Sequence, residues 1–528
     1  MKQIAFQMQE NEVWWGGSAQ LAACQPYDNA TKITLGINAD EECRYFNQSA
    51  PLYLSSKGRY LWSDSPIEIT FDEGRITASG ENIRLVEAGS CLREAYLAAM
   101  RAHFPFEQKP LPEKFFTTAQ YNTWMEFTYN PTQKSVLAYA HAIVDNGYEP
   151  GVLIIDEGWS VHYGNWEFDF TKFPDPKGMM DELHALGFTV MLWVVPYVTL
   201  DGRHYLELAA RYVSELQGKT YERKLARRPN GEVAIVRWWN GMSGLYDMNE
   251  QADRDCMDAQ LQRLMQEYGV DGFKFDGGNL CSLTEDRWVT EPPTQSAEVL
   301  NKAWNDFGAK YEYHEYKDTY GRGGRAVIQR IRDKNHTWGG NGLQQLIPAA
   351  LLQSLLGYPY VCPDMVGGGE WIFNLDPDFR ADEELFVRMA QCSALFPMIQ
   401  FSWAPWRLLG AEGQRLCLAA AKLHAEFGER IVKLVGETQK TGEPILRCLE
   451  YAYPHSGYER VNDQFLLGED LLVCPVVVQG QRKRRVKLPI GKWRYVDGTL
   501  YEGGGEIEVD APLSVLPYFE RESGEGTF

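Results

Sequence analysis

Positive charge is in short supply. Lys and Arg number 52 against 72 Asp and Glu, a net charge of −20. That balance argues against nucleic acid or an anionic membrane as a partner, because phosphate binding needs clustered cations. The locally basic run Glu222–Arg228 (ERKLARR) reads as a solvated face. No apolar stretch reaches the roughly 18 residues that cross a bilayer, and the opening MKQIAFQMQENEVWW holds no signal-peptide core. The ten cysteines stand singly without a CxxC pair, so reduced thiols are expected rather than a disulfide frame or zinc site. Absent too are a GxGxxG after a strand, a P-loop, an HExxH helix and a GxSxG elbow. Their absence removes dinucleotide, phosphate-loop, zinc-peptidase and serine-hydrolase chemistry from the reading. The expectation is a soluble cytoplasmic protein with no metal and no organic cofactor.

Aromatics, by contrast, are plentiful: 16 Trp, 28 Tyr and 24 Phe suit stacking on sugar rings, and equally a large core. Residues 1–113 carry short alternating runs such as KITLGIN, GRYLW and IEITFDEG, the pattern of a β-sandwich. From 114 to 437 apolar runs alternate with amphipathic segments, as in parallel βα units. Candidate strands end at Trp124, Asp156, Val195, Asp276, Tyr316, Ile331, Cys362 and Phe401. Helices are expected between them, for example at QKSVLAYAHAIVDNGY, KGMMDELHALG and DRDCMDAQLQRLMQEYG. Residues 438–528 return to strand runs (DLLVCPVVV, KWRYVDG, GEIEVD), a second β-sandwich. The predicted class is α/β, a (β/α)8 TIM barrel flanked by N-terminal and C-terminal β-sandwich domains.

In such a barrel the chemistry sits at the C-terminal ends of the strands. Asp156 (IID), Asp276 (KFD), Asp333 (RIRD) and Asp364 (CPD) fall there, as do Trp124, Trp159, Trp193, Trp238, Trp239 and Trp338. Carboxylates accept hydrogen bonds from sugar hydroxyls while indoles stack on ring faces, so an oligosaccharide or glycoside is the expected ligand. Glycosidic cleavage needs one carboxylate at the anomeric carbon and another to protonate the leaving oxygen. Asp276 suits the first role. It lies two residues after Lys274, whose charge favours the ionised form, and Gly277 and Gly278 would leave room for a ring. Asp333 is flanked by Arg330, Arg332 and Lys334, cations that lower an acid's pKa; the charge of Asp276 would have to oppose them. His162, His204 and His336 read as ordinary surface histidines, and no metal-ligand spacing accompanies His314 and Glu315.

The runs VLIIDEGW, WEFDFTKFPDPKGMMDELHALGFTVMLWVVPYV, EYGVDGFKFDGGN, LIPAALLQSLLGYPYVCPDMVGG, LFPMIQFSWAPW and QFLLGEDLLVCPVV, in this order and spacing, resemble glycoside hydrolase family 31. The resemblance implies a retaining α-glycosidase. Many members carry the nucleophile in a DMNE motif, and Asp247–Glu250 spells it here, but ahead of a helix; Asp247 is expected to be a helix-start acid. The usual acid/base stretch Trp-x-Gly-Asp-Asn is replaced by WGGN at Trp338–Asn341. The pattern is instead similar to the myogenesis-regulating glycosidase branch, with a KFD nucleophile and Arg-x-x-Asp before a Trp. Carried over by position, Asp276 is the nucleophile and Asp333 the acid/base. Asp156, Trp193, Lys274, Arg330 and Trp338 would line the sugar subsite with Trp124, joined by Arg237, Trp238 and Asp364. That branch, and the KFD triplet shared with α-galactosidases of related barrels, imply a terminal α-galactoside. An α-glucoside, transfer to an acceptor sugar and a non-catalytic sugar-binding protein are the alternatives; homo-oligomerisation is left open.

Overall fold

The computed structural model describes residues 2–36, 47–209 and 224–522. Glu222 and Arg223 of the basic run therefore lie outside the described residues. All eight expected barrel strands are present: β1 (Gln120–Asn122), β2 (Val152–Ile155), β3 (Thr189–Val194), β4 (Gly272–Phe275), β5 (Tyr313–Tyr316), β6 (Ile328–Arg330), β7 (Val361–Cys362) and β8 (Gln400–Phe401). They pair in parallel in the order β7-β6-β5-β4-β3-β2-β1-β8. A bridge between Val366 and Phe401 and the bond from Val366 N to Gln400 O (2.8 Å) bring the two ends together. Parallel strands are covered on both faces, and β2, β3 and β4 are accordingly buried at every residue.

Helices cover the barrel, and their ends are written in the sequence. Thr132 caps Gln133–Asp145 through the amide of Ser135, and Asp175 caps Pro176–Ala185, with proline at the first turn. The connection from β5 to β6 breaks the βα alternation. It holds no helix; instead Thr319–Tyr320 pairs in parallel with Gln48–Ser55 of the N-terminal part.

That N-terminal part is a sandwich. One sheet runs Lys2–Gln7, Arg75–Gly80, Glu68–Asp72, Lys32–Leu35; the other is built on Gln48–Ser55, Arg59–Trp62 and Arg84–Glu87. Ile69, Phe71 and Ile76 of the first sheet meet Tyr53 and Leu61 of the second in one apolar cluster. Gln48–Ser55 is buried throughout: Tyr53 faces that cluster, while Leu52 and Leu54 join the barrel core. At the other end a six-stranded sheet and the ribbon Lys483–Leu488 with Gly505–Asp510 enclose Leu472, Val486, Leu488, Trp493 and Phe519.

The cysteines depart from expectation. Eight of the described cysteines are free thiols, but Cys281 is disulfide-bonded. Among the described residues no helix is long and apolar enough to cross a membrane.

Candidate active site

A cavity of about 250 Å³ opens at the C-terminal ends of the barrel strands. Seven of the expected site residues line it: Trp124, Asp156, Trp193, Lys274, Asp276, Arg330 and Asp333. Its floor is built on β2 and β4. The Lys274 ammonium donates to Asp156 Oδ2 at 2.6 Å, with both side chains almost fully buried. Asp276, the residue after β4, accepts from Trp193 Nε1 at 3.0 Å and from the Gly277 amide at 2.8 Å.

Gly277 and Gly278 follow with φ of 64° and 62°, the left-handed region that glycine enters without strain. A Cβ on Gly277 would stand 2.7 Å from the Tyr197 ring, and one on Gly278 2.9 Å from Trp304. The glycines therefore make room for the protein's own aromatic packing and a tight turn, rather than for a sugar as the sequence suggested.

Asp333 lies three residues beyond β6. Lys317, directly after β5, donates to its Oδ2 at 2.5 Å, and Arg330 Nη1 donates to its Oδ1 at 3.0 Å. The same Arg330 nitrogen is 2.6 Å from Asp364 Oδ1. Asn47 reaches in from the N-terminal sandwich: it lines the cavity and accepts from the Arg332 amide at 2.7 Å.

The carboxyls of the cavity are driven apart in acidity. For Asp276, burial is the largest single influence and raises the pKa. It is outweighed by Lys317, Lys274, the Trp193 bond and Arg330, so the net shift is downward. Asp333 follows the same pattern further: burial is overcome by Lys317 and Arg330, which hold it well below the usual carboxylate range. Asp276 does not offset those cations, as the sequence had required of it. Glu157 and Asp318, which also line the cavity, are both pushed up to about 8, chiefly by burial. Glu157 accepts from Tyr163 Oη at 2.6 Å, and Asp318 from the Asn47 amide at 2.6 Å. At neutral pH the cavity thus presents charged and neutral carboxyls side by side.

Four expected contacts stand elsewhere. Arg237 points to solvent from a hairpin, Val236–Trp238 with Gly241–Leu245. Trp238 is buried behind the wall, 4.3 Å from the Tyr197 ring, donating to Ser243 Oγ; its neighbour Trp239 lines the cavity instead. Trp338 turns away to Asp382 Oδ2 at 3.0 Å. Asp364 is fully buried, accepting from the Lys334 and Gly369 amides as well as Arg330, so it braces the wall without facing the cavity. His336 is buried, not a surface residue, and ties Gly367 O to the Asp382 amide. Asp247 accepts from the Asn249 amide just ahead of the helix Gln251–Tyr268, outside the cavity. Reading missed Glu157, Lys317 and Asp318, although each lies within two residues of a strand end. Tyr129 and Trp371 gave no such signal.

The geometry now has relatives to be set beside. Residues 109–406 match the glycosyl hydrolases family 31 TIM-barrel domain, and residues 442–524 the family 31 C-terminal domain. The chain is 32% identical over 459 residues to the myogenesis-regulating glycosidase of Mus musculus, covering 84% of this chain and 62% of that protein. It is 25% identical over 420 residues to a 1,3-alpha-isomaltosidase of Kribbella flavida, covering 71% of this chain and 54% of that one. It thus spans less than two thirds of the length of these curated relatives. The structure superposes on a GH31 dextranase of Flavobacterium johnsoniae with a TM-score of 0.80 at 19% identity, over 99% of this chain and 66% of that one. With its barrel matched from end to end and its C-terminal part as well, this chain belongs to glycoside hydrolase family 31.

Proposed function

We propose that the chain is a retaining, exo-acting α-glycosidase that removes terminal α-galactosides. The observation that carries the reading is one cavity lined by both Asp276 and Asp333, with the ammonium of Lys317 bonded to one and lowering the pKa of the other. In the first half-reaction Asp276 attacks the anomeric carbon while Asp333 gives its proton to the leaving oxygen. In the second, Asp333 takes a proton from water, the hydroxide displaces the Asp276 carboxylate, and the sugar leaves with its α configuration kept.

Lys317 and Arg330 favour the ionised form of Asp333, which is the form the second half-reaction uses. For the first, an arriving sugar has to loosen the contact to Lys317 so that Asp333 can carry a proton. Lys274 and Asp156, locked to one another on the floor, present fixed donors and acceptors to ring hydroxyls; a rigid buried pair of this kind is suited to separating an axial from an equatorial 4-hydroxyl. The KFD triplet supports galactose there. A second reading, α-glucoside hydrolysis or transfer, is favoured by the isomaltosidase and dextranase among the similar proteins.

Initial rates on matched nitrophenyl α-galactoside and α-glucoside test both. Faster galactoside turnover, lost in Asp276→Ala, is the expected result. Glucoside preference keeps the mechanism and replaces the substrate. Turnover that survives Asp276→Ala removes the proposed nucleophile, and sugar binding without turnover favours a carbohydrate-binding protein.

A further inference from the structure

The cavity changes character at its mouth. Its depth is polar and charged, but two tryptophans that line it are largely open to solvent, Trp239 at 48% and Trp371 at 36%. They come from different loops, joined through Tyr129. The Tyr129 hydroxyl donates to Asn240 Oδ1, next to Trp239, at 3.2 Å, and its ring stands edge-on to Trp371 at 6.1 Å.

Along the second loop the polar lining ends at Glu370, and the chain continues Trp371–Ile372–Phe373–Asn374–Leu375 as a 3₁₀ turn. Residues three apart eclipse in such a turn, so Ile372 and Leu375 share a face. That face points outward, with exposures of 58% and 62%. Asn374, itself exposed, donates to Met125 O at 3.0 Å and accepts from Trp403 Nε1 at 3.2 Å. A surface turn that offers two aliphatic side chains to water forms an exposed apolar patch, and such patches mark binding surfaces.

We infer that this strip, running from Trp239 and Trp371 out to Ile372 and Leu375, binds an apolar aglycone. It rests on the glycosidase reading: a sugar seated against Asp276 and Asp333 sends its leaving group out through this mouth. The substrates are then α-glycosides of an alkyl or aryl alcohol, with the sugar in the charged depth and the apolar group along the strip. A second sugar as leaving group would find indole faces for stacking but no hydroxyl partners at Ile372 or Leu375.

The test uses methyl, butyl and hexyl α-glycosides, a nitrophenyl α-glycoside and an α-linked disaccharide, all carrying whichever terminal sugar the nitrophenyl pair selects. kcat/KM is expected to rise from methyl to hexyl by about tenfold, the effect of burying roughly two of the five added methylenes. In Ile372→Ser/Leu375→Ser the hexyl-to-methyl ratio should fall to near one. An aryl advantage that disappears in Trp371→Ala without a matching alkyl trend would place the aryl group alone on the indole and overturn the extended strip. A flat alkyl series, a disaccharide preferred over hexyl, or a chain-length effect that survives the double serine variant would each overturn the inference while leaving the glycosidase standing. Absence of turnover on every compound would remove the glycosidase reading itself, and this inference with it.

Discussion

The ends of β4 and β6 hold their aspartates by different means. Asp276 comes directly after its strand and accepts two neutral N–H donors, one from a buried indole and one from the backbone. Asp333 stands three residues past its strand, on a loop, clamped between two cations, one of which, Arg330, also holds Asp364. One position is fixed by packing and the other by charge. A group fixed by packing keeps its place whatever its protonation state. A group fixed by charge loosens when a proton arrives, which is what a residue alternating between acid and base has to do.

The largest effect separates the two directly. Asp276→Ala should lower kcat by about 10⁴-fold or more on every leaving group, since the covalent route is gone. Asp333→Ala should cost about 10²–10⁴-fold on an alkyl glycoside. On a nitrophenyl glycoside, whose leaving oxygen needs little protonation, the loss should be much smaller. Equal losses on both leaving groups would break the proposed division of roles.

Next in size is the floor. Lys274→Met leaves Asp156 buried without its cation, at a cost of about 3–5 kcal/mol, to be read as a fall in Tm by calorimetry. An unchanged Tm would mean that the floor is not held by this pair.

The clamp predicts a shift rather than a loss. Lys317 lowers the pKa of both Asp333 and Asp276, so Lys317→Met should move both up. The acid is then half-protonated at a higher pH, and the alkaline limb of the kcat profile should move upward by about one unit. A stationary limb would show that Lys317 does not tune Asp333.

A dependence of stability on pH belongs to Glu157. Its pKa is about 8 in the folded chain against roughly 4.3 in an unfolded one. The folded state therefore binds the extra proton between these values, and stability falls as pH rises across them. Glu157→Gln removes that slope, so the difference in Tm between pH 5 and pH 8 should narrow; a slope that persists would assign it to other groups.

This contrast also explains how far the sequence could be read. The barrel strands are short runs buried on both faces, and every one of their ends could be located within about two residues. Residues at those ends followed: Asp156, Lys274, Asp276 and Arg330 all line the cavity. Glu157, Lys317 and Asp318 obey the same rule and were within reach of it. Failure came where a side chain's direction is set by tertiary contacts. Trp238 and Trp239 are adjacent, and only the packing on Tyr197 determines which of them faces the cavity. Asp364 looks like a ligand group in the one-dimensional pattern, yet three donors hold it inside the wall. Asn47 belongs to another part of the chain, and no local pattern connects it to a barrel loop.

The two-residue strand Thr319–Tyr320, seated beside Gln48–Ser55, bears on how this chain can be divided. It lies on the loop that carries Lys317 and Asp318, and the Asn47 amide and Gln48 amide group hold that loop from the other side. A barrel expressed without its first hundred residues would have its clamp lysine cut loose from its mooring. Recombination between family members should accordingly succeed when the crossover point leaves the sandwich and barrel with the same parent, and fail in activity when it separates them.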